Sequence, residues 1–218
     1  MSNLDELGCR HGTDKCSVHG YTSVYEHYFA PLREEPLTVF ELGVGGYADP
    51  AQGGESLRMW ADYFPKATII GLDDQPKNLD LPANVHVYRG DQTSAALIER
   101  IAAEHGQFDI AIDDASHISA LSIATFGCVW PHLKPGGLYI CEDVFTSYQQ
   151  GWYRGHPDPD HQGGDPTAMQ FFRRMADDVN FRTGWGADAY PAAFWRGYRL
   201  RFAHFWPQLV ILGKDNDA

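Results

Sequence analysis

The residues best equipped for chemistry fall in two short acidic runs, Ile112-Asp113-Asp114-Ala115-Ser116-His117 and Ile140-Cys141-Glu142-Asp143. Each closes an apolar stretch that reads as a strand. Asp114, Glu142 and Asp143 offer hard oxygen ligands of the kind that suit Mg2+, an ion that keeps positions open for water or substrate oxygens. His117 stands three residues after Asp114, about one turn away if the segment opens a helix, and imidazole titrates near neutrality. A metal that lowers the pKa of a bound hydroxyl, with a base beside it, activates a poor nucleophile. Each part also has a plainer reading. Acidic residues favour a helix N-terminus, and His117 could cap that helix or orient a carboxylate. Pairing Glu142-Asp143 with Asp114 on a neighbouring strand is what favours a metal.

Upstream lies the loop Glu41-Leu42-Gly43-Val44-Gly45-Gly46. With Tyr47-Ala48 it also fits G-x-G-x-x-A, the dinucleotide fingerprint, a weak signal by itself. Glycines accept positive φ and let backbone approach a ligand closely. Glu41 stands where dinucleotide folds usually place an apolar residue. Asp73 closes the next strand, where an acidic residue can accept hydrogen bonds from ribose hydroxyls. Asp91-Gln92 follows the third strand. Ser56 either hydrogen-bonds the cofactor or decorates its helix.

These residues need a frame that brings strand ends together. Apolar runs predict strands at 38–42, 67–72, 85–88, 108–112 and 138–141, with Lys134-Pro135-Gly136-Gly137 as the turn before the last. Helical spacing predicts helices at 54–64, 94–105, 121–133 and 167–179, the third bent or ended by Pro131. A short helix over 21–29 stops near Pro31. Residues 198–205 and 209–213 read as a hairpin. The alternation of strands and helices implies an α/β fold, a doubly wound, mostly parallel sheet of seven strands with a C-terminal antiparallel hairpin. Ligands in such sheets bind beyond the carboxyl ends of the strands. Residues 1–36 are expected to form an N-terminal lead-in or lid. The catalytic domain is expected over 37–218, with a loop or lid insertion at 149–197.

Composition narrows the function. Net charge is −12 over 218 residues, which disfavours nucleic acid and anionic membrane surfaces as partners. No apolar run is long enough to span a bilayer, and the N-terminus does not read as a signal peptide. The four cysteines, Cys9, Cys16, Cys128 and Cys141, form no C-x-x-C pair. A reduced, cytoplasmic setting and no zinc site are expected.

The motifs together carry a specific resemblance. Glu41-Leu42-Gly43-Val44-Gly45-Gly46, Asp73, Gly90-Asp91 and Lys134-Pro135-Gly136-Gly137 resemble a class I S-adenosylmethionine-dependent methyltransferase. More closely, Gly12-Thr13-Asp14-Lys15, His19-Gly20-Tyr21-Thr22, Gly53-Gly54-Glu55-Ser56-Leu57-Arg58-Met59-Trp60, Asp91-Gln92, Ile112 to His117 and Glu142-Asp143 resemble the metal-dependent sugar O-methyltransferases of the macrolide, mycinamicin-type family. In length the chain is also similar to a short relative that methylates the reducing-end hydroxyl of methylmannose polysaccharide precursors.

The resemblance implies S-adenosylmethionine and Mg2+ as cofactors, and a sugar hydroxyl of a glycoside, oligosaccharide or glycosylated natural product as acceptor. It implies His117 as general base and Asp114, Glu142 and Asp143 as metal ligands. Glu41, Gly43, Gly45, Gly46, Ser56, Asp73, Asp91, Gln92 and Asp113 would line the cofactor, with Asp113 facing its methionine part. A homodimer is expected. The competing readings are a catechol-type O-methyltransferase, a nicotinamide-dependent oxidoreductase and a non-catalytic binding protein. The catechol pattern usually closes its metal set with Asp-Asn, whereas this chain has Glu142-Asp143.

Overall fold

The computed structural model describes residues 3–149, 165–181 and 197–217. The part of the expected lid at 150–164 and 182–196, with its histidines His156 and His161, lies outside them. The sheet has seven strands: β1 (Thr38–Leu42), β2 (Thr68–Asp73), β3 (Val85–Arg89), β4 (Phe108–Asp113), β5 (Leu133–Cys141), β6 (Leu200–Trp206) and β7 (Leu209–Lys214). Their order is β3-β2-β1-β4-β5-β7-β6. β1 pairs parallel with β2, and β2 with β3. β7 pairs antiparallel with both β5 and β6. The expected α/β sheet with its terminal antiparallel hairpin is therefore present. Among the described residues no helix is long and apolar enough to cross a membrane.

The chain divides into two compact units, residues 1–110 and 111–218. In the first, α1 (Asn3–His11), α2 (Asp14–Ser17) and α3 (Tyr21–Phe29) precede β1, α4 (Glu55–Tyr63) joins β1 to β2, and α5 (Ala95–His105) precedes β4. All five residues of β1 are buried, because helices cover a parallel strand on both faces. Leu57 and Trp60 of α4 and Ile69 and Ile70 of β2 are fully buried. Burying a side chain of this size stabilises the fold by about 1.5–3 kcal/mol. Tyr21 and Tyr25 are also buried; Tyr25 stacks on Phe29 and meets the Trp60 ring edge-on.

In the second unit α6 (Ser119–Val129) leads through a 3-10 turn at Trp130–His132 into β5. Pro131 ends the α-helix, as its missing N–H requires. β5 begins at Leu133, so the Lys134-Pro135-Gly136-Gly137 segment is the start of the strand and not a separate turn. Gly136 takes φ +78 and donates its N–H to Asp215. The helix expected over 167–179 is two, α7 (Ala168–Arg173) and α8 (Met175–Phe181). α7 opens with a capping box between Thr167 and Gln170.

The N-terminal segment holds more structure than its sequence suggested. α1 and α2 were not foreseen. They bring Cys9 and Cys16 together as a disulfide, with Cα atoms 5.9 Å apart. The reduced setting expected from the cysteine spacing did not anticipate this bond. A pairing of this kind depends on how the chain folds back, which spacing alone does not reveal.

Candidate functional site

In the first unit the glycine loop leaves the carboxyl end of β1. The Gly43 N–H donates to Leu72, and Gly54 N–H closes the loop on the Val44 carbonyl at 2.7 Å. Gly46 and Gly53 have φ +72 and +106. A Cβ at Gly46 would collide with the Gln52 carbonyl, and one at Gly53 with the carbonyls of Val44 and Gly45. Only glycine fits either place. Asp73 ties the loop from the side: Oδ2 accepts from the Val44 N–H at 2.9 Å and Oδ1 from the Gln75 N–H at 2.8 Å. Lys77 donates to the Gly45 and Tyr47 carbonyls. Gly90 N–H donates to the Asp73 carbonyl, so the Asp91-Gln92 turn starts beside Asp73. Asp91 accepts from both the N–H and the hydroxyl of Thr93, and these bonds lower its pKa.

Glu41 and Ser56 face each other. Glu41 is fully buried; its Oε2 accepts from the Ser56 hydroxyl and from Trp60 Nε1, both at 2.9 Å. Lys15, itself 1% exposed, brings its ammonium to 3.2 Å from Glu41 Oε1. Sequence reasoning singled out the Gly12-Thr13-Asp14-Lys15 motif but assigned Lys15 no role. A lysine reads as surface unless its partner is known.

In the second unit the two acidic runs converge. Asp114, His117 and Asp143 each offer a ligand atom, and these atoms all lie within 4.8 Å of one another. Asp114 also comes within 4.8 Å of a ligand atom of Glu142. His117 Nε2 lies 3.7 Å from Asp143 Oδ2. Asp114, His117 and Asp143 together make a donor set of a kind that a divalent cation can use. The sequence expectation put His117 beside Asp114, Glu142 and Asp143; the structure brings it within 4.8 Å of Asp114 and Asp143.

Backbone strain marks the same place. His117 and Asp143 both hold left-handed backbone, φ 54 and 53. Non-glycine residues pay about 1–2 kcal/mol for that conformation, and such outliers cluster at working sites. Thr146, in a 3-10 turn at Val144–Tyr148, stabilises the arrangement: its hydroxyl donates to the His117 carbonyl at 2.9 Å, and its N–H donates to the Asp143 carbonyl. A threonine three residues past Asp143 carries no signal of this in the sequence.

Asp113 has different surroundings from Asp114. It is 2% exposed and accepts from the Tyr139 hydroxyl at 3.3 Å. Burial pushes its pKa up to about 7, against the lowering effect of the Ala115 N–H and the Tyr139 hydroxyl. Burial likewise raises the Tyr139 and Cys141 pKa values well above their ordinary range. A thiol so placed is no nucleophile.

The sheet order, with β7 set antiparallel between β5 and β6, and a glycine loop after β1 define a class: the Rossmann-like methyltransferase fold. Comparison makes this more specific. No family model matches the chain. It is 40% identical over 217 residues to the 8-demethyl-8-alpha-L-rhamnosyl tetracenomycin-C 2'-O-methyltransferase of Streptomyces olivaceus, covering 98% of this chain and 55% of that protein. It is 39% identical over 178 residues to the mycinamicin VI 2''-O-methyltransferase of Micromonospora griseorubida, covering 81% and 44%. The structure of MycE methyltransferase from the mycinamycin biosynthetic pathway, in complex with Mg, SAH and mycinamycin VI, matches with a TM-score of 0.84 at 34% identity, covering 99% of this chain and 56% of that one. The chain spans about half the length of the curated relatives it matches. It is a relative of sugar O-methyltransferases, as its motifs implied.

Proposed function

We propose that this chain moves a methyl group from S-adenosylmethionine to a sugar hydroxyl of a glycosylated natural product, with Mg2+ as the activating ion. The observation that carries the reading is the gathering of Asp114, His117 and Asp143, two of them on left-handed backbone, in a chain related to sugar O-methyltransferases. The donor supplies an electrophilic methyl on a sulfonium, and the ion supplies charge that lowers the pKa of a hydroxyl near it.

The chain's own residues do the rest. The glycine loop, held open by Gly46 and Gly53, presents backbone to the donor. Asp73 accepts from its ribose, and Asp91-Gln92 flank its adenine. Asp114, Glu142 and Asp143 hold the ion. His117 takes the hydroxyl proton as the new C–O bond forms and the methyl–sulfur bond breaks, leaving a neutral thioether. Thr146 keeps His117 in register by holding its carbonyl.

A test uses radiolabelled donor with a panel of sugar acceptors, including rhamnosides and macrolide glycosides. Label should enter a glycoside, stop in excess chelator and return with Mg2+. Asp114→Ala should prevent the return at ordinary Mg2+ concentrations, because the site loses the ligand common to both groups of donors. Transfer that continues in chelator removes the metal from the reading, and label found only in aromatic diols moves the acceptor to the catechol class.

A further inference from the structure

We infer that Lys15 is a positioning residue for the donor loop, acting through Glu41. This rests on the proposed use of S-adenosylmethionine. The loop runs from Gly43 to Gly54, between the end of β1 and the start of α4. Glu41 lies two residues before it, and Ser56 and Trp60 lie just after it. One carboxylate therefore clamps both flanks of the loop, through the 2.9 Å bonds that Ser56 and Trp60 donate to its Oε2. Ser56 and Trp60 are four residues apart and share one face of α4.

That clamp sets a carboxylate in a fully buried place. Desolvation opposes the charge unless a cation compensates it. Lys15 supplies the cation, 3.2 Å from Oε1, on the oxygen that the two α4 donors leave to it. The ammonium comes from outside both β1 and α4. α2 carries it, and the Lys15 N–H donates to the Thr13 hydroxyl that caps this short helix. The Trp60 ring is fixed in turn by Tyr25 and Phe29 of α3. A buried ion pair is weak evidence for stability alone, since apolar replacements often serve as well. Here the pair sits where it governs the spacing of the two ends of a ligand loop. Lys15 need not touch the donor to do this.

The experiment is calorimetric titration of the full chain with S-adenosylhomocysteine, at a temperature well below every variant's melting point. Lys15→Met should weaken binding roughly tenfold or more. Lys15→Arg, which keeps the charge, should return most of it. Glu41→Gln should weaken binding similarly, and the double variant Lys15→Met/Glu41→Gln should bind no worse than either single one, because both act through one contact. With saturating donor, kcat of Lys15→Met should stay within a fewfold of wild type while the donor KM rises. If wild type binds and Lys15→Met, shown folded by circular dichroism, binds equally well, Lys15 is structural only and the inference fails. Additive losses in the double variant also overturn it, because the two residues then act separately. If Lys15→Met does not fold, Lys15→Arg and Glu41→Gln decide: equal wild-type affinity in both overturns the proposal. Absence of binding by wild type removes the donor assignment itself, and the inference with it.

Discussion

Each unit collects carboxylates at strand ends, and the two collections are built in opposite ways. In the first unit Glu41 is sealed from water and matched by a lysine, a hydroxyl and an indole N–H. In the second, Asp114, His117 and Asp143 are only partly buried, and the side chains of His117 and Asp143 keep 25% and 13% of their exposure. Two of the three sit on strained backbone. The difference separates a carboxylate enclosed by its own protein partners from carboxylates that face one another. The first has two hydrogen bonds on one oxygen and an ion pair at the other. The second are arranged with their side-chain atoms and an imidazole within 4.8 Å of one another.

The comparison breaks first at His117. His117→Ala should lower kcat by roughly 10²–10⁴-fold, the usual contribution of a positioned acid–base group, while the melting temperature stays near wild type. Near wild-type turnover at saturating Mg2+ would make His117 an orienting group.

Glu41→Ala should show the opposite signature. It leaves the Lys15 ammonium buried without its counter-charge, which costs about 3–5 kcal/mol in comparable buried pairs. Denaturant unfolding should record this as a lowered midpoint. A small change would mean that Lys15 swings out to water and that the network is looser than its distances state.

The smallest effect sharpens the contrast within the second unit. Asp113 has a folded pKa near 7, raised from 3.8. The folded state therefore binds its proton more tightly than the unfolded state does. The stability this gives is complete below the ordinary carboxyl range and is lost as pH rises through about 7. Stability measured without metal or cofactor should fall across that window. Asp113→Asn should flatten this part of the profile. An unchanged slope would assign the titration to another group.

How much of this was legible in sequence depends on how local the cause was. β1 matches its expected bounds, 38–42, because a short apolar run needs no distant partner to become a buried strand. α4 and α5 fell within a residue or so of their expected bounds for the same reason. α7 and α8 were merged because helical spacing carries on through Arg174 although the helix does not. The start of β5 was missed because Pro-Gly-Gly is turn chemistry in isolation, and pairing overrode it.

The amino-acid order by itself determined the alternation of strands and helices, the glycine loop, and which acidic residues stand at strand ends. Those follow from periodicity, glycine's conformational range and side-chain type, all of which are local. Tertiary structure decided which carboxylate is which. Asp113 and Asp114 are neighbours of one chemical type, yet one is buried against Tyr139 and the other meets His117 and Asp143. Successive side chains at a strand end turn to opposite sides, and only the packed sheet says which side is filled. Lys15 becomes a core residue for a similar reason: its burial is set by Glu41, twenty-six positions away in the chain.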